Sequence, residues 1–402
     1  MVVGDLPPLA APEEATMSKH PDNSRSIRLS LETLESRDVP SPFGPTRGLN
    51  VAGGAVFPNL PIDAGPNQYV MGTGPGVMAR VRIYDDQGRL LQSFRPFGPN
   101  FTGGVTVAVG DVNDDGVDDI ICGTGPGTTG RVRVFTFADG GLQRLAAFVP
   151  FGPNFTGGVN VASGPVLGGS SDPDGERPDQ VVVSVASNGP PRVKVFGIED
   201  GSPTPYRSFL AYNPNYRGGV NIAVANIDTA PDTLDGEDQL VPPVRSYAEI
   251  ITGKARERPL IRIFDVQAPT IVTKASFMAF NPDLERGRSG VMLTAGDTNG
   301  QRGAQIYVNL IGTDRIRVFD GATGAILTTF NAYPAFSGIR TGMLSMAIVD
   351  MSNGNPSDNQ FAGEYYTHDL VLVAADGPYF QTPYIYFGGS LPAGFNGGGF
   401  AP

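Results

Sequence analysis

The sequence contains almost no cysteine or histidine. Its 402 residues include one cysteine, Cys122, and two histidines, His20 and His368. A single thiol excludes an intramolecular disulfide framework, and two histidines cannot build the histidine cluster of a catalytic transition-metal centre. Because Cys122 lies in a short apolar run, we expect it to be a buried and unreactive thiol.

Long apolar runs and basic runs are also missing. No stretch approaches the length of a membrane-spanning helix, and residues 1–30 contain no apolar core of signal-peptide length. The net charge is −11, and lysine and arginine form no run along the chain. We therefore expect no membrane span, and neither nucleic acid nor an anionic membrane surface as a partner.

The signatures of common enzymes are absent as well. The motif Gly-x-Ser-x-Gly does not occur, and the GTGPG turns lack the lysine and the hydroxyl residue of a phosphate-binding loop. Among 40 acidic residues, no carboxylate pair stands out for glycosidase or lyase chemistry. The sequence thus assigns no catalytic residue and favours a protein that is not an enzyme, without deciding the question.

The chain does contain an internal repeat, which predicts the fold. The ten residues PFGPNFTGGV occur identically at 96–105 and 150–159, and PFGP occurs a third time at 42–45. Related strand-like starts place the beginnings of the units at residues 48, 104, 158, 219, 290 and 342. Self-similarity at this spacing is typical of propellers and other repeat folds.

A second landmark within the units is an alternating strand with basic residues. It reads RVRIY at 80–84, RVRVF at 131–135, RVKVF at 192–196 and RIRVF at 315–319. With the strands predicted before and after it, each unit provides four short strands, which is the composition of a propeller blade. We therefore predict an all-β, six-bladed β-propeller of four-stranded blades, with seven blades as the alternative.

The sharpest motif lies between the first two predicted strands of the second unit. Oxygen-bearing side chains occupy positions 1, 3, 5 and 9 of this loop, and a glycine occupies position 6: Asp111, Asn113, Asp115, Asp119 and Gly116. Because Ca²⁺ takes about six to eight oxygen ligands, this spacing favours a calcium site to which Val117 adds its backbone carbonyl. The alternative is a solvated acidic hairpin without a metal.

Together these residues resemble a known family. The stretch GGVTVAVGDVNDDGVDDIICGTGPG, followed by RVRVF, and the later RVFDGATGAIL resemble the FG-GAP/VCBS-type repeats of integrin-α-like β-propellers. The resemblance covers about residues 48–387. It implies that the protein binds Ca²⁺ through Asp111, Asn113, Asp115, the Val117 carbonyl and Asp119.

The corresponding loops of the other units depart from this pattern. The fifth unit has Asp297, Asn299 and Gln301, but it places Gln305 at position 9, and neutral amides are weaker Ca²⁺ ligands than carboxylates. The sixth unit has Asp350 followed by a polar insertion. We expect most of these loops to be metal-free, and we expect the insertions to gather on one rim of the propeller disc.

Three segments are predicted along the chain. Residues 42–387 form the propeller, 388–402 a glycine-rich tail, and 1–41 an N-terminal sorting or flexible segment. Within the last of these, 28–41 resembles a short planctomycete-type motif, Leu-Glu-x-Arg followed by Pro, found ahead of many surface and secreted repeat proteins. This resemblance implies a bacterial protein at the cell surface or outside the cell. The alternative is a short amphipathic helix at 30–37.

The sixth unit lacks a clear fourth strand, so the ring needs another segment to close it. Segment 37–45, which ends in PFGP, or the tail 388–402 could complete that blade. We expect the N-terminal segment to do so, because pairing the two ends of the chain locks the ring.

A rigid propeller with long loops on one rim suits a binding or structural role. Tyr247, Tyr365 and Tyr366 lie in insertions and are candidate anchors for a surface protein or a glycan; alternatively, they cover strand ends. We expect a monomeric, calcium-binding module for binding or adhesion, outside the cell or on its surface. The alternative is an extracellular carbohydrate-active enzyme, a hydrolase or lyase, that uses carboxylates on the insertion-bearing rim.

Overall fold

The computed structural model describes most of the repeat region. The described residues are 49–57, 68–85, 89–138, 140–168, 178–228, 233–234, 240–241, 247–281, 289–298, 303–332, 343–349, 369–375 and 384–386. The regular secondary structure of these residues consists of β-strands. No helix within these ranges is long and apolar enough to cross a membrane.

Five antiparallel sheets of four strands follow one another along the described chain, each with its strands in sequence order. The first blade contains β1 (Leu49–Gly54), β2 (Gln68–Thr73), β3 (Val81–Tyr84) and β4 (Leu90–Phe94). The second contains β5 (Val105–Gly110), β6 (Asp119–Thr124), β7 (Val132–Ala138) and β8 (Gly141–Phe148). The third contains β9 (Val159–Gly164), β10 (Gln180–Val185), β11 (Arg192–Glu199) and β12 (Ser202–Leu210).

The fourth blade carries an inserted two-stranded hairpin. The hairpin is β14 (Thr233–Leu234) and β15 (Leu240–Val241), and the blade itself is β13 (Val220–Ala225), β16 (Glu249–Lys254), β17 (Leu260–Asp265) and β18 (Val272–Met278). The fifth blade contains β19 (Val291–Gly296), β20 (Gln305–Leu310), β21 (Arg315–Asp320) and β22 (Ile326–Asn331). An all-β propeller of four-stranded blades is therefore confirmed.

The predicted count of six four-stranded blades is wrong. The structure shows five such blades, and the sixth unit forms a sheet of three described strands, β23 (Met343–Val349), β24 (Asp369–Ala375) and β25 (Tyr384–Tyr386). Its third strand has lost the alternating basic pattern of the other units, and no described strand follows it. The segments 37–45 and 388–402, expected to supply a fourth strand, lie outside the described residues.

The three-stranded sheet stands between the first and fifth blades. Its first strand, β23, contacts β19 on one side and β1 on the other. The Val51 amide donates to the buried Ser345 hydroxyl at 3.1 Å across the second of these contacts. The first strands of the sheets thus meet in a closed ring, in which each one contacts the first strand of the next sheet.

The second strands explain why the blades must stack. All six residues are buried in β2, β6, β10 and β20, because both faces of each strand are covered by neighbouring sheets. Apolar clusters accordingly include residues of two adjacent blades, such as Val70 with Val107 and Ile120. Cys122 belongs to this cluster and is fully buried, and burial raises the pKa of its thiol far above the ordinary value. The predicted burial of this thiol is therefore confirmed.

Near the central axis, a side chain on the first strand of each of the first four blades bonds the next blade. The donor is the second residue of the first strand, and the acceptor is a backbone carbonyl on the first strand of the next blade, at 2.7 or 2.8 Å. The pairs are Asn50 to Val105, Thr106 to Val159, Asn160 to Val220 and Asn221 to Val291. Each of the four junctions between the five blades therefore has the same polar contact at the hub.

A second repeated contact lies where the loops join the first and second strands. We call this end of the disc the acidic rim. The residue just before a second strand donates its amide to a carbonyl just after the first strand of the preceding blade. The pairs are Asp118 to Ala55, Asp179 to Asp111, Ala248 to Pro165 and Ala304 to Asn226, at 2.6 to 3.0 Å. This backbone pairing satisfies polar groups that would otherwise lack hydrogen-bond partners between the blades.

A third contact explains the basic residue inside the repeated alternating strand. In the second to fifth blades, one cation on the third strand donates to a carbonyl in the linker from the preceding blade and lies over the aromatic ring of the next linker residue. These latch cations are Arg133, Lys194, Arg262 and Arg317, which bond Pro96, Pro150, Ala211 and Ala279. Their rings are Phe97, Phe151, Tyr212 and Phe280, with centroids 4.8 to 5.7 Å away.

The identical decapeptides are linkers that wrap the turns of their own blade. The Gly127 amide in the GTGPG turn donates to the Thr156 carbonyl at 2.9 Å. Gly158 has φ of +76°, and a Cβ there would lie 2.6 Å from the Pro126 nitrogen. A left-handed backbone and this close approach both require glycine, which explains the final glycine of the repeated TGG.

Candidate functional site

The predicted metal loop joins β5 to β6 on the acidic rim. The Asp111 carboxylate accepts hydrogen bonds from the amides of Asp114 at 2.7 Å, Asp115 at 3.2 Å and Gly116 at 2.8 Å. Asp114 and Gly116 have φ of +63° and +80°, which lets the chain turn tightly around that carboxylate. Asp111, the first residue of the motif, therefore holds the loop in its turn by accepting hydrogen bonds from three of the loop's backbone amides.

The other predicted ligands in the loop lie closer to solvent. The Asn113 amide donates to Asp115 Oδ2 at 2.9 Å, and Asp115 Oδ1 accepts from the Val117 amide at 2.9 Å. Among the described residues, no group of three or more His, Cys, Asp or Glu side chains is placed to hold a metal ion. The structure thus brings the predicted residues into one loop. The carboxylates of Asp111 and Asp115 accept hydrogen bonds from backbone amides of that loop and from the Asn113 side chain.

Asp119 differs from the others because it is fully buried. Its Oδ2 accepts from the Val112 amide at 3.1 Å, whereas Oδ1 is buried with no hydrogen-bond partner. Burial raises its pKa to about 7, and the charges of Asp115 and Asp111 add to the rise. The nearby Thr136 hydroxyl offsets part of this rise, although it does not meet hydrogen-bond geometry with the orphaned oxygen.

Two further acidic residues, which the sequence did not single out, complete the charge cluster. Asp118 Oδ2 accepts from the Ala55 amide of the first blade at 2.6 Å, and burial raises its pKa. Asp179 reaches the loop from the third blade, and its pKa rises to about 7 through burial and the charges of Asp118, Asp111 and Asp119. Both residues directly precede a second strand, so aligning the repeats at that strand would have identified them.

Comparison of the blades shows what is unusual about Asp119. The first residue of every second strand in the five blades is a buried polar group that bonds a backbone amide of the preceding loop. In the other four blades it is Gln68, Gln180, Glu249 or Gln305. Gln180 and Gln305 also donate their amide protons to carbonyls two residues earlier, both at 2.6 Å. A glutamine at this position is neutral and satisfied.

The fourth blade has a carboxylate at this position and supplies a cation for it. Lys274 Nζ lies 2.8 Å from Glu249 Oε1 and also bonds Asp228 on the same rim. Glu249 Oε2 accepts from the Ile227 amide at 3.1 Å, so both of its oxygens are occupied. Of the two described carboxylates at this register, Glu249 has a cation and Asp119 has none among the groups that set its pKa.

This arrangement concentrates carboxyl groups that have no cationic partner among the described residues at the junction of the first three blades. Buried carboxylates without a partner are costly, and a bound cation removes that cost. The described residues of the loop offer carboxylate, amide and carbonyl oxygens but neither histidine nor a free thiol. The chemistry they support is the binding of a hard cation.

The remaining predicted residues fall into two groups. Asp297 and Gln305 belong to the fifth loop, where Gln305 Oε1 accepts from the Thr298 amide and hydroxyl, both at 2.7 Å. Tyr247 packs its ring against Gly168, in the loop that follows β9. Outside the described residues lie Asn299, Gln301, Asp350, Tyr365, Tyr366 and His368.

Comparison with known proteins adds one structural likeness. No family model matches the chain, and no curated protein matches it. One similar solved structure is the rhamnogalacturonan lyase PL11 of Bacillus licheniformis, which is 13% identical, with 85% of this chain and 72% of that chain covered and a TM-score of 0.39. This likeness does not distinguish a binding propeller from an enzyme.

Proposed function

We propose that the protein is a calcium-stabilised β-propeller that serves as a binding or structural module at the cell surface or outside the cell. The observation that carries the calcium assignment is the orphaned, buried oxygen of Asp119. The same register is neutral in three blades and paired with Lys274 in the fourth blade. A cation bound beside Asp119 supplies the positive charge that Lys274 supplies beside Glu249 in the fourth blade.

The ligands in this proposal are the Asp111, Asn113, Asp115 and Asp119 side chains and the Val117 carbonyl. They are hard oxygen donors of the kind that Ca²⁺ prefers. The resemblance of this loop to FG-GAP/VCBS-type repeats supports the same set. When bound, the ion neutralises the charge shared by Asp119, Asp118 and Asp179 and holds the junction of three blades together.

The binding role rests on the side-chain inventory of the described part of the chain. Asp119 and Asp179, whose pKa values lie near 7, are the natural candidates for acid–base chemistry. Asp119, however, is fully buried and bonded to the Val112 amide, so it cannot reach a substrate. The location outside the cell is supported by the N-terminal motif resemblance at 28–41.

Thermal unfolding with and without Ca²⁺ tests the proposal. Selective binding to the native state should raise the melting temperature, by the equivalent of about 2.7 kcal/mol at a hundredfold excess over Kd. Asp119→Asn should remove most of the rise, and the matched variant Asp297→Ala in the fifth loop should keep it. An intact protein whose melting temperature is the same in Ca²⁺ and in chelator would refute the calcium assignment.

A further inference from the structure

An open groove runs along the junction of the second and third blades, away from the acidic rim. It lies between the linker that follows β8 and the outer strands β11 and β12, and its volume is about 670 Å³. The side chains relevant to binding are Phe151, Phe155, Arg192, Lys194, Tyr206 and Ser208. This volume falls within the range of small-molecule sites, about 300–1,000 Å³.

The groove is positively charged in a protein whose net charge is −11. Lys194 donates to the Pro150 carbonyl at 2.7 Å, and Arg192 donates to the Ser208 hydroxyl at 3.0 Å. The salt bridges found among the described residues include neither cation. Both side chains are therefore held in place by neutral acceptors, and their charges remain available to an anion.

The two cations share one face of the sheet. Lys194 stands opposite Ser208 in the register of β11 and β12, and Arg192 is two residues earlier on the same face. Burial lowers the pKa of Lys194, and the charge of Arg192 lowers it further. Arg207 also borders the groove, but its guanidinium bonds the carbonyls of Val266 and Gln267 in the next blade.

Aromatic rings line the same space. Phe151 and Phe155 pack edge to face with centroids 5.4 Å apart, and Lys194 lies over the Phe151 ring at 5.7 Å. Tyr206 is half-buried, and its hydroxyl donates to Glu199. An apolar ring face beside a fixed cation suits a ligand that has both a weakly polar ring and an anionic group.

We propose that this groove binds an anionic sugar unit of an acidic polysaccharide. The sugar ring lies against the aromatic side chains, and its carboxylate or sulfate group is bound by Arg192 and Lys194. The overall negative charge of the protein opposes a densely charged polymer such as nucleic acid, so a sparsely charged sugar chain fits better. The inference rests on the proposed binding role and names its ligand class.

Three polymers with one backbone test the groove: dextran, carboxymethyl-dextran and dextran sulfate, the last two lightly substituted so that their charges are sparse. In affinity electrophoresis at moderate salt and saturating Ca²⁺, the full chain should be retarded by at least one anionic polymer but not by neutral dextran. The anionic polymer that retards it more strongly identifies the preferred group as carboxylate or sulfate.

Two charge-reversal variants localise the binding. Arg192→Glu should weaken binding about tenfold or more, because it removes one cation and adds a repulsive charge. Arg315→Glu is the matched control, since Arg315 also opens a third strand two residues before a latch cation. Retention by neither anionic polymer, equal losses in both variants, or equally strong retention by single-stranded DNA would overturn the proposal.

The outcome can be separated from that of the calcium test. The calcium assignment is read from the melting temperature in Ca²⁺ and in chelator, and the groove is read from retardation of the folded protein. Asp119→Asn, which should lose the calcium response, should still bind the anionic polymer when it is assayed below its unfolding temperature.

Discussion

Lys274 bonds the buried carboxylate of Glu249 at 2.8 Å, at the register where Asp119 in the second blade has no cationic partner among the described residues. Glu249 is 3% exposed, so its charge is largely removed from water. The fourth blade thus contains a built-in counter-charge in the position that we assign to Ca²⁺ in the second blade. Under the proposed calcium assignment, Lys274 and the bound ion would offset equivalent buried carboxylates at two junctions.

Removing that counter-charge should destabilise the protein. Lys274→Met leaves Glu249 buried without its cation, and we expect a loss of about 2 kcal/mol, at the low end for buried pairs because Lys274 is partly exposed. Urea unfolding measures the loss. The double variant Glu249→Gln/Lys274→Met should recover most of it, since Gln180 and Gln305 occupy the equivalent position. A single variant as stable as the wild type would contradict this.

Neutralising Asp119 should have the opposite effect when metal is absent. In chelator, Asp119→Asn should melt at the same or a higher temperature than the wild type, because an unpaired buried charge is removed. The new amide also offers a donor to the Thr136 hydroxyl, which has no partner in the structure. Asp115→Asn is an exposed control and should change the melting temperature little. A large drop for Asp119→Asn in chelator would show that its charge is compensated within the protein.

Two buried tyrosines should limit stability at high pH. Burial raises the pKa of Tyr216 to about 12 and that of Tyr212 further, from an ordinary value near 10. The native state therefore holds these protons more tightly than the unfolded state does. Their contribution to stability is complete below about pH 10 and is lost as the pH rises through 12.

The variant Tyr216→Phe tests this pH dependence. Phenylalanine fits the position, since Phe101 and Phe155 occupy it in the preceding linkers. We expect the melting temperature of the variant to fall less steeply than that of the wild type between about pH 10 and 12. Identical slopes for the two proteins in that range would show that Tyr216 does not contribute.

The latch cations bear on how the ring closes. Arg82 pairs with Met71 in the first blade, as Arg133 pairs with Cys122 in the second. At the other described junctions the cation bonds a residue directly before an aromatic, and Pro42-Phe43 is the one further Pro-Phe pair in the sequence besides Pro96-Phe97 and Pro150-Phe151. The closing role of segment 37–45, which lies outside the described residues, stays a prediction.

Truncation distinguishes the two candidate closing segments. A protein that begins at Gly48 should lose several degrees of melting temperature, because it lacks the segment expected to complete the last sheet and bond Arg82. Deletion of 388–402 should have a smaller effect, and Phe43→Ala should reproduce part of the N-terminal loss. A greater loss from the C-terminal deletion would assign the closing strand to the tail.

The sequence predicted the features that repeat along the chain. The alternating RVRVF strand and the PFGPNFTGGV linker identified the blades, because each must pack against a neighbour of the same kind. It did not reveal Asp179 or Lys274 as partners of the acidic rim, since Asp179 lies in the next blade and Lys274 on an outer strand. The count of six four-stranded blades was wrong because the third strand at 384–386 departs from the repeated pattern and no described strand follows it.

The direction of the latch contacts has a consequence for biosynthesis. Each latch cation belongs to the later of two blades and donates a hydrogen bond to the linker that follows the earlier one. Arg262 of β17, for example, donates to the Ala211 carbonyl. During synthesis, the linker at the outer edge of a blade therefore lacks its latch hydrogen bond until the third strand of the next blade has been made. We therefore expect each blade to become fully ordered only after the third strand of the next blade has been synthesised.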